Sequence, residues 1–318
     1  RRTTIIFNED PASGDANSAF FTDADGRIEV RRDLKDRFER QRIRTIVVGS
    51  DTDTGVWKFN WSASWAKSSE REDFSIDPLR FRARFNDDGV DVNMDYSNPR
   101  VPLYSVTAGA ALFNDPTEYG FNRLELTDLS DSQDEEYAVK ADLARTFAGD
   151  KGDFTIQGGI KSRWRDKSYN FNLIYYGDYN GDFTLAEVLG QQTYRLTDIG
   201  PVASKTGPAA FYNANLGNFE VDQYESDLGS NSSDYSVSED ILAGYLLGRW
   251  DSDTLRVIGG VRVERTKNVL NGNLVADDGS DVFVTPVSYR RNYTDWLPSM
   301  TIRFQPQQDL VLRLAGSR

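Results

Sequence analysis

Val56-Trp57-Lys58-Phe59-Asn60-Trp61-Ser62-Ala63-Ser64-Trp65-Ala66 alternates with period two. Trp57, Phe59, Trp61, Ala63 and Trp65 share one parity, and Lys58, Asn60, Ser62 and Ser64 share the other. Side chains of a β-strand point alternately to its two faces, so this strand has an aromatic face and a polar face. A soluble sheet would turn the aromatics inward. Three tryptophans on one strand face are costly to fit into a compact core and sit more easily against lipid, with rings near the headgroup levels. The rest of the chain has to decide between these readings.

The chain of 318 residues is long enough for two ordinary domains or one large barrel. It contains no cysteine and no histidine. That removes disulfides, thiolate metal sites, thiol nucleophiles, the usual general base and the commonest transition-metal ligand. Carboxylate pairs can still act on glycosides. The adjacent pairs Glu135-Glu136 and Asp87-Asp88, however, point to opposite strand faces. No catalytic residue and no cofactor is assigned, and the chain is not read as an enzyme. A net charge of −13 argues against a nucleic-acid partner. Mean hydropathy is −0.58, and no apolar run of about 18 residues exists, so no transmembrane helix is expected. A membrane barrel is not excluded, because only every second strand residue faces lipid.

Five pairs of alternating segments, 42–49/56–66, 79–86/90–96, 137–147/153–165, 240–250/255–266 and 292–304/310–317, flank short polar turns. Asp, Asn, Gly and Pro supply the turn geometries, as in Asp87-Asp88-Gly89 and Ala148-Gly149-Asp150-Lys151-Gly152. The connections between pairs, 67–78, 97–136, 166–239 and 267–291, are much longer. Alternating short and long connections characterise outer-membrane barrels, with short periplasmic turns and long external loops. Structureless loops of this length are unusual in compact soluble domains. The expected fold is therefore all-β: an antiparallel up-and-down transmembrane β-barrel segment of about ten strands. Residues 1–36 and 166–239 are expected to be mainly extracellular loop within a partial barrel domain spanning 1–318. The chain starts Arg1-Arg2-Thr3 without a secretory signal pattern and ends inside a strand, so it reads as a piece of a longer protein.

Parity assigns faces. Trp57, Phe59, Trp61 and Trp65 are expected to face lipid. Leu79, Phe81, Ala83 and Phe85 oppose Arg80, Arg82 and Arg84, and Val90, Val92, Met94 and Tyr96 oppose Asp91, Asn93 and Asp95. A turn at Asp87-Asp88 pairs Arg84 with Asp91 and Arg80 with Asp95; a turn at Asp88-Gly89 pairs Arg82 with Asp95. Arg80, Arg82, Arg84, Asp91, Asp95, Arg262 and Arg303 are thus expected on the lumen wall, pairing along it or docking a plug.

Other candidates carry two readings each. Tyr175, Tyr176, Tyr179, Tyr194 and Tyr212, in the long connection 166–239, are ligand-binding candidates that could stack on a sugar or chelate, or could pack a self-contained loop fold. The basic run Arg31-Arg32, Lys35, Arg37, Arg40, Arg42 and Arg44 could touch anionic lipopolysaccharide headgroups or line a path for an anionic solute. Asp33, Asp36 and Glu39 within it favour a solvated strand entry. Arg163, Arg165 and Lys167, at the outer end of their strand, share the lipid-contact reading. Asp178-Tyr179-Asn180-Gly181-Asp182 opens like a calcium loop, but Phe183 and Leu189 break the pattern. A turn with Asp182 as N-cap of a short helix is the preferred reading, and no metal is assigned.

The C-terminal third carries a further pattern: Gly260-Val261-Arg262-Val263-Glu264-Arg265-Thr266, then Tyr293-Thr294-Asp295-Trp296-Leu297-Pro298-Ser299, then Leu310-Val311-Leu312-Arg313. In order and spacing this resembles the mid-barrel region of TonB-dependent receptors, covering 239–318 well and the rest loosely. The resemblance implies a 22-stranded barrel in the bacterial outer membrane with an internal plug domain. It implies energy-coupled import of a scarce solute such as an iron chelate, cobalamin or an oligosaccharide. The implied partners are outer-membrane lipid and lipopolysaccharide, the solute, and, through the parent chain, the plug and the TonB coupling protein. The plug, the coupling box and the final strands are not found in this sequence. A passive porin-like channel and a soluble carbohydrate-binding β-sandwich are the alternatives. The sandwich predicts buried Trp57, Trp61 and Trp65.

Overall fold

The computed structural model describes residues 1–195 and 198–318. Its first ten strands are β1 (Arg2–Phe7), β2 (Ser13–Gly14), β3 (Ser18–Thr22), β4 (Ile28–Asp36), β5 (Glu39–Asp53), β6 (Trp57–Phe85), β7 (Asp91–Asp95), β8 (Leu103–Ala108), β9 (Gly120–Phe147) and β10 (Asp153–Tyr179). After them come β11 (Leu189–Gly190), β12 (Val202–Ala203), β13 (Phe219–Val221), β14 (Tyr235–Asp251), β15 (Leu255–Asp277), β16 (Val282–Gln307) and β17 (Leu310–Ser317). Three short helices, α1 (Ala110–Phe113), α2 (Gly207–Ala214) and α3 (Gln223–Asn231), lie in the connections.

One antiparallel sheet dominates, in the order β1-β4-β6-β9-β10-β14-β15-β16-β17, with β5 also on β6 and β13 on β10. β4 and β5 act as one interrupted strand, β4 running along Phe85 to Ile76 of β6 and β5 along Glu72 to Lys58. The interruption faces Phe74, whose positive φ of 55° marks a bulge. The turns β5–β6, β9–β10, β14–β15 and β16–β17 are short and lie at one end of the sheet. In two of them Gly55 (φ 82°) and Gly152 (φ 136°) hold left-handed backbone that other residues enter only with strain. The fold is thus the all-β, up-and-down antiparallel wall expected of a barrel. It is not closed: among the described residues β1 and β5 form its edge on one side and β17 on the other.

The long connections prove shorter than expected, because β9 begins at Gly120, β10 runs to Tyr179, and only residues 278–281 separate β15 from β16. Two further expectations are corrected. Residues 67–78 do not form a loop, because β6 runs unbroken from Trp57 to Phe85. The polar run Ser68-Ser69-Glu70-Arg71-Glu72-Asp73 keeps its ladder to β9. Polarity alone therefore does not end a strand whose backbone stays paired on both edges. The second correction concerns the hairpin 79–86/90–96. Its turn forms, with Asp87 and Gly89 at positive φ, but its limbs part. Residues 79–85 stay in the main sheet, while β7 joins a separate sheet ordered β2-β3-β7-β8. β4 and β9 already occupy both edges of β6, which leaves β7 no edge to pair with. None of the Arg84–Asp91, Arg80–Asp95 or Arg82–Asp95 pairings occurs.

The buried core sits at the long-loop end. Ile28, Val30, Phe81, Phe85 and Val92 from the two sheets, with Val90 from the turn between them, meet Phe113 and Tyr119 there. Phe7 stacks on Phe21 with ring centroids 3.6 Å apart. Burying each such aromatic or branched side chain stabilises by about 1.5–3 kcal/mol. Asp23 is 1% exposed and accepts the backbone N–H groups of Asp88 (2.9 Å) and Gly89 (3.2 Å), tying the parted turn to the core.

Candidate functional site

The register extends the Trp57–Trp65 stripe sideways. Trp65 lies opposite Ile46 and Tyr137, Ala63 opposite Val48 and Val139, and Phe59 opposite Leu143. Ile160 continues it from Ala141 on β10, Leu246 on β14, Val261 on β15, and Met300 and Leu312 beyond. These side chains are open: Trp61 is 37% exposed, Leu242 60%, Trp296 58% and Leu314 69%. A contiguous apolar surface spread over eight strands far exceeds what a soluble monomer leaves in water. The small residues Ala63 and Ala141 leave a groove of about 420 Å³ between Trp61, Val139, Ile160 and Leu242.

Polar handles bound this belt at both ends. Trp65 Nε1 donates to Glu135 Oε1 at 2.7 Å, and the Tyr137 hydroxyl donates to the same oxygen at 3.0 Å. At the short-turn end the Arg145 guanidinium lies 5.0 Å from the Trp57 ring centre and 4.7 Å from that of Phe147. Aromatic rings with one apolar face and one polar contact suit an apolar–water boundary.

The opposite face is polar and cross-linked. Lys58 pairs with Asp53 at 2.6 Å, and Asn60 donates to Asp51 at 3.2 Å. The Tyr245 hydroxyl donates to Asp142 Oδ1 and receives from Gln157 Nε2, both at 2.7 Å. Its ring lies over Gly159, where an added Cβ would stand 2.5 Å from Tyr245 Cε1 and 2.1 Å from Asp142 Oδ1. Arg262 pairs with Glu264 at 2.7 Å, and Arg303 binds Gln305 on the same face. Arg163 bonds Glu239, and Arg165 bonds Asp134 with its Nε at 2.8 Å, so both are engaged across strands. The Gly159–Tyr245 contact was not found from the sequence. The paired glycines Gly158-Gly159 inside a strand were its signal, since a strand glycine marks close approach.

Above the belt, Arg80 and its neighbours find partners on β4 instead of β7. Asp33, 2% exposed at its side chain, receives Arg80 Nε at 2.7 Å and Arg2 Nη2 at 2.6 Å. Burial pushes the Asp33 pKa up, but the hydrogen bonds from Arg80 and Arg2 outweigh it and hold the carboxyl below its ordinary value. Glu29 binds Arg31 at 2.6 Å and Arg84 at 3.0 Å. Arg82 sits opposite Arg31, and burial together with the Arg84 charge lowers its pKa. Asp91 and Asp95 leave this constellation, because β7 carries them into the small sheet, where Asp95 accepts the Ser97 N–H at 2.8 Å.

The basic run divides. Arg32 is 3% exposed and buried in the core, its guanidinium 4.9 Å from the Tyr119 ring centre, so it meets neither lipid nor solute. Lys35 pairs with Asp77, and Arg37 with Glu72. Arg40, Arg42 and Arg44 are exposed.

The five tyrosines also divide. Tyr176 is 5% exposed and shares a 2.7 Å hydroxyl contact with Tyr212. Tyr179 packs among Phe183, Phe211 and Phe219, with the last ring centre 4.9 Å away. These three contribute to the loop's own core, with Tyr179 and Tyr212 partly exposed. Burial and the Tyr176 contact raise the Tyr212 pKa. Tyr175 lies near Arg123 at 6.0 Å. Tyr194, 50% exposed, borders an open cleft of about 440 Å³ with Arg1, Lys35, Gln192 and Lys205. Beside it a short 3-10 helix spans Leu185–Val188 and is capped by Thr184 in a reciprocal box with Glu187, so Asp182 is not the N-cap. Thr184 precedes Glu187 by three residues and so provides the complete capping box that Asp182 lacks.

The sequence matches the family described as TonB dependent receptor-like, beta-barrel, over residues 9–318. No curated protein matches the chain. Among solved structures, the open form of the ferric-catecholate import receptor Fiu from E. coli K12 is 11% identical, with a TM-score of 0.37 over 99% of this chain and 49% of that one. Its closed form is 9% identical, with a TM-score of 0.38 over 99% of this chain and 45% of that one. The chain thus spans about half the length of these receptors, and the likeness carries no argument about what it binds. The family match, spanning nearly every described strand, establishes that this chain belongs to the TonB-dependent receptors and forms part of their β-barrel region.

Proposed function

We propose that this chain is part of the wall of an outer-membrane receptor barrel that imports a scarce solute by energy-coupled uptake. The observation that carries the reading is the continuous apolar belt on one face with a cross-linked polar face behind it, in a chain of this family. A belt of this kind turns to lipid, and the polar face turns to the lumen, where Arg262 and Arg303 meet a plug or a passing solute. Trp57, Phe59, Trp61 and Trp65 then lie against acyl chains, and the long connections lie outside the cell. The exposure of Trp57 and Trp61 weighs against a soluble sandwich, which needs them buried. The solute belongs to the class of iron chelates, cobalamin or oligosaccharides. Tyr194 and Lys205, at the outer cleft, are its proposed first contacts. The plug and the TonB coupling protein act through the full-length receptor.

The test is uptake by cells carrying the full-length receptor, with labelled ferric chelates, cobalamin and oligosaccharides, before and after a protonophore. Accumulation of one solute that collapses with the protonophore is expected. Uptake that persists unchanged would replace this reading with a passive channel.

A further inference from the structure

The sequence contains two Asn-Gly dipeptides, Asn180-Gly181 and Asn271-Gly272. The backbone nitrogen after an asparagine can attack the asparagine side-chain carbonyl, and glycine offers no side chain to hinder the approach. The fold treats the two dipeptides differently. Asn271 and Gly272 lie within β15, with Ser236 and Tyr235 of β14 opposite on one edge and Ser288 and Val287 of β16 on the other. Asn271 Nδ2 also donates to Ser236 Oγ at 3.0 Å. Extended backbone paired on both edges keeps the Gly272 nitrogen from turning onto the Asn271 side chain. Asn180 and Gly181 follow the end of β10, and both are exposed. Gly181 has a φ of 129°, which glycine adopts without strain, and even an added Cβ would meet only Tyr179 Cε1, at 3.5 Å. Among the described residues neither the Gly181 N–H nor the Asn180 side-chain amide enters a hydrogen bond, whereas the Asn180 N–H donates to Asn218 O at 2.7 Å.

We propose that Asn180 is a site of spontaneous covalent modification, converting to aspartate and isoaspartate with water as the only co-reactant. The Gly181 nitrogen gives its proton to hydroxide and attacks Asn180 Cγ. The N–Cγ bond forms, the Cγ–Nδ2 bond breaks, and Nδ2 takes a proton from water and leaves as ammonia. Water then opens the cyclic imide. Opening at Cγ gives aspartate; opening at the main-chain carbonyl gives isoaspartate, in which the backbone runs through Cβ. No carbon is oxidised or reduced. Either product places a new carboxylate between Asp178 and Asp182, where like charges repel. Isoaspartate also lengthens the main chain where Asn180 holds Asn218, and where Asn218 Nδ2 donates to the Tyr179 hydroxyl at 3.2 Å. The consequence is a looser clamp of β13 on β10, whose ladder ends at Tyr179–Phe219. The step needs no solute and stands apart from the uptake reading.

The experiment incubates the full-length receptor, wild type and Asn180→Gln, at neutral and mildly alkaline pH, both folded in detergent and unfolded in concentrated urea. Isoaspartate is counted by enzymatic methyl transfer from labelled S-adenosylmethionine, and peptide mass spectrometry locates it. Folded wild type should gain label at Asn180, in proportion to hydroxide, with Asn271 left unlabelled. Asn180→Gln should lose the label at that position, because the longer side chain closes a larger ring slowly. In urea both Asn-Gly sites should convert at similar rates, since the β15 ladder is gone. Amide exchange across 216–221 should rise with the label in wild type and stay constant in Asn180→Gln. No conversion at Asn180 in the folded receptor, or conversion at Asn271 as fast as at Asn180, overturns the proposal. Conversion without a rise in exchange overturns the loosened clamp.

Discussion

Trp61→Arg and Ser62→Arg should differ sharply although the two residues are neighbours. Trp61 lies midway along the stripe between Trp57 and Trp65. Four residues at about 3.3 Å each, tilted by roughly 40°, put it about 10 Å from either rim. That is close to the middle of an apolar band about 25 Å tall. Arginine on the lipid face at that depth costs about 2–4 kcal/mol, and loss of the indole's apolar contact adds about 1.5–3 kcal/mol. The total is about 3.5–7 kcal/mol, of the order of the whole stability of a typical domain. Ser62 points to the polar face, where Lys140 on the neighbouring strand is its cross-strand partner. Arginine there should cost no more than about 1 kcal/mol from one like-charge pair. The assay is reversible folding of the full-length receptor into lipid vesicles against urea, followed by tryptophan fluorescence. The reasoning is refuted if Ser62→Arg costs as much as Trp61→Arg, because the two faces would then be assigned backwards or would not differ.

Asp33→Asn removes the charge that neutralises Arg80, whose side chain is only 8% exposed, and should cost about 3–5 kcal/mol locally; amide hydrogen exchange in β4 reads it, and unchanged protection would contradict the pairing. The folded-state pKa of Asp33 lies below its unfolded value. Its contribution is therefore complete above the unfolded value, near pH 4, and is lost as pH falls through the folded value; β4 exchange should rise on acidification below pH 4 and flatten in Asp33→Asn. Gly159→Val should destabilise by about 1–3 kcal/mol through overpacking against Tyr245, measured by urea unfolding, and Tyr245→Ala in the same chain should recover part of that loss. Asp23→Ala strands two backbone N–H donors and should cost about 2–3 kcal/mol, seen as faster exchange at Asp88 and Gly89, while the belt is unaffected.

The sequence rendered side more readily than level. Trp57 to Trp65, Phe154 to Trp164 and Leu310 to Leu314 all show period-two alternation, and each lies on the apolar side of the main sheet. The four hairpins whose turns share one end were equally legible, because Gly and Asp at fixed positions leave little choice of turn geometry. Partners were not legible. The Arg84–Asp91 register followed from local alternation and a good turn sequence, yet it failed because a strand more than forty residues upstream in the chain, β4, took the edge first. Nothing in a window around 79–96 contains that competition. The two readings of the tyrosines stayed open for a related reason: Tyr176 and Tyr212 are 36 residues apart, and only their meeting shows that they share a loop core.

Alternation reports that one side of a strand is apolar; it does not report what covers that side. Leu79, Phe81, Ala83 and Phe85 alternate as cleanly as the tryptophan stripe, yet protein covers them, and each is 4% exposed or less. Trp57, Phe59 and Trp61, on the same strand, remain 37–43% exposed. The difference lies in what the connections bring over it, since both stretches are paired on each edge, with β5 and β9 along the tryptophans and with β4 and β9 along 79–85. Phe113 and Tyr119 from the connection after β8, and Phe183 from the one after β10, pack on Phe81 and Phe85. No such side chains reach Trp57, Phe59 or Trp61 among the described residues. Cover supplied by distant connections, which strand alternation does not encode, therefore separates the protein-buried stretch of β6 from the exposed one.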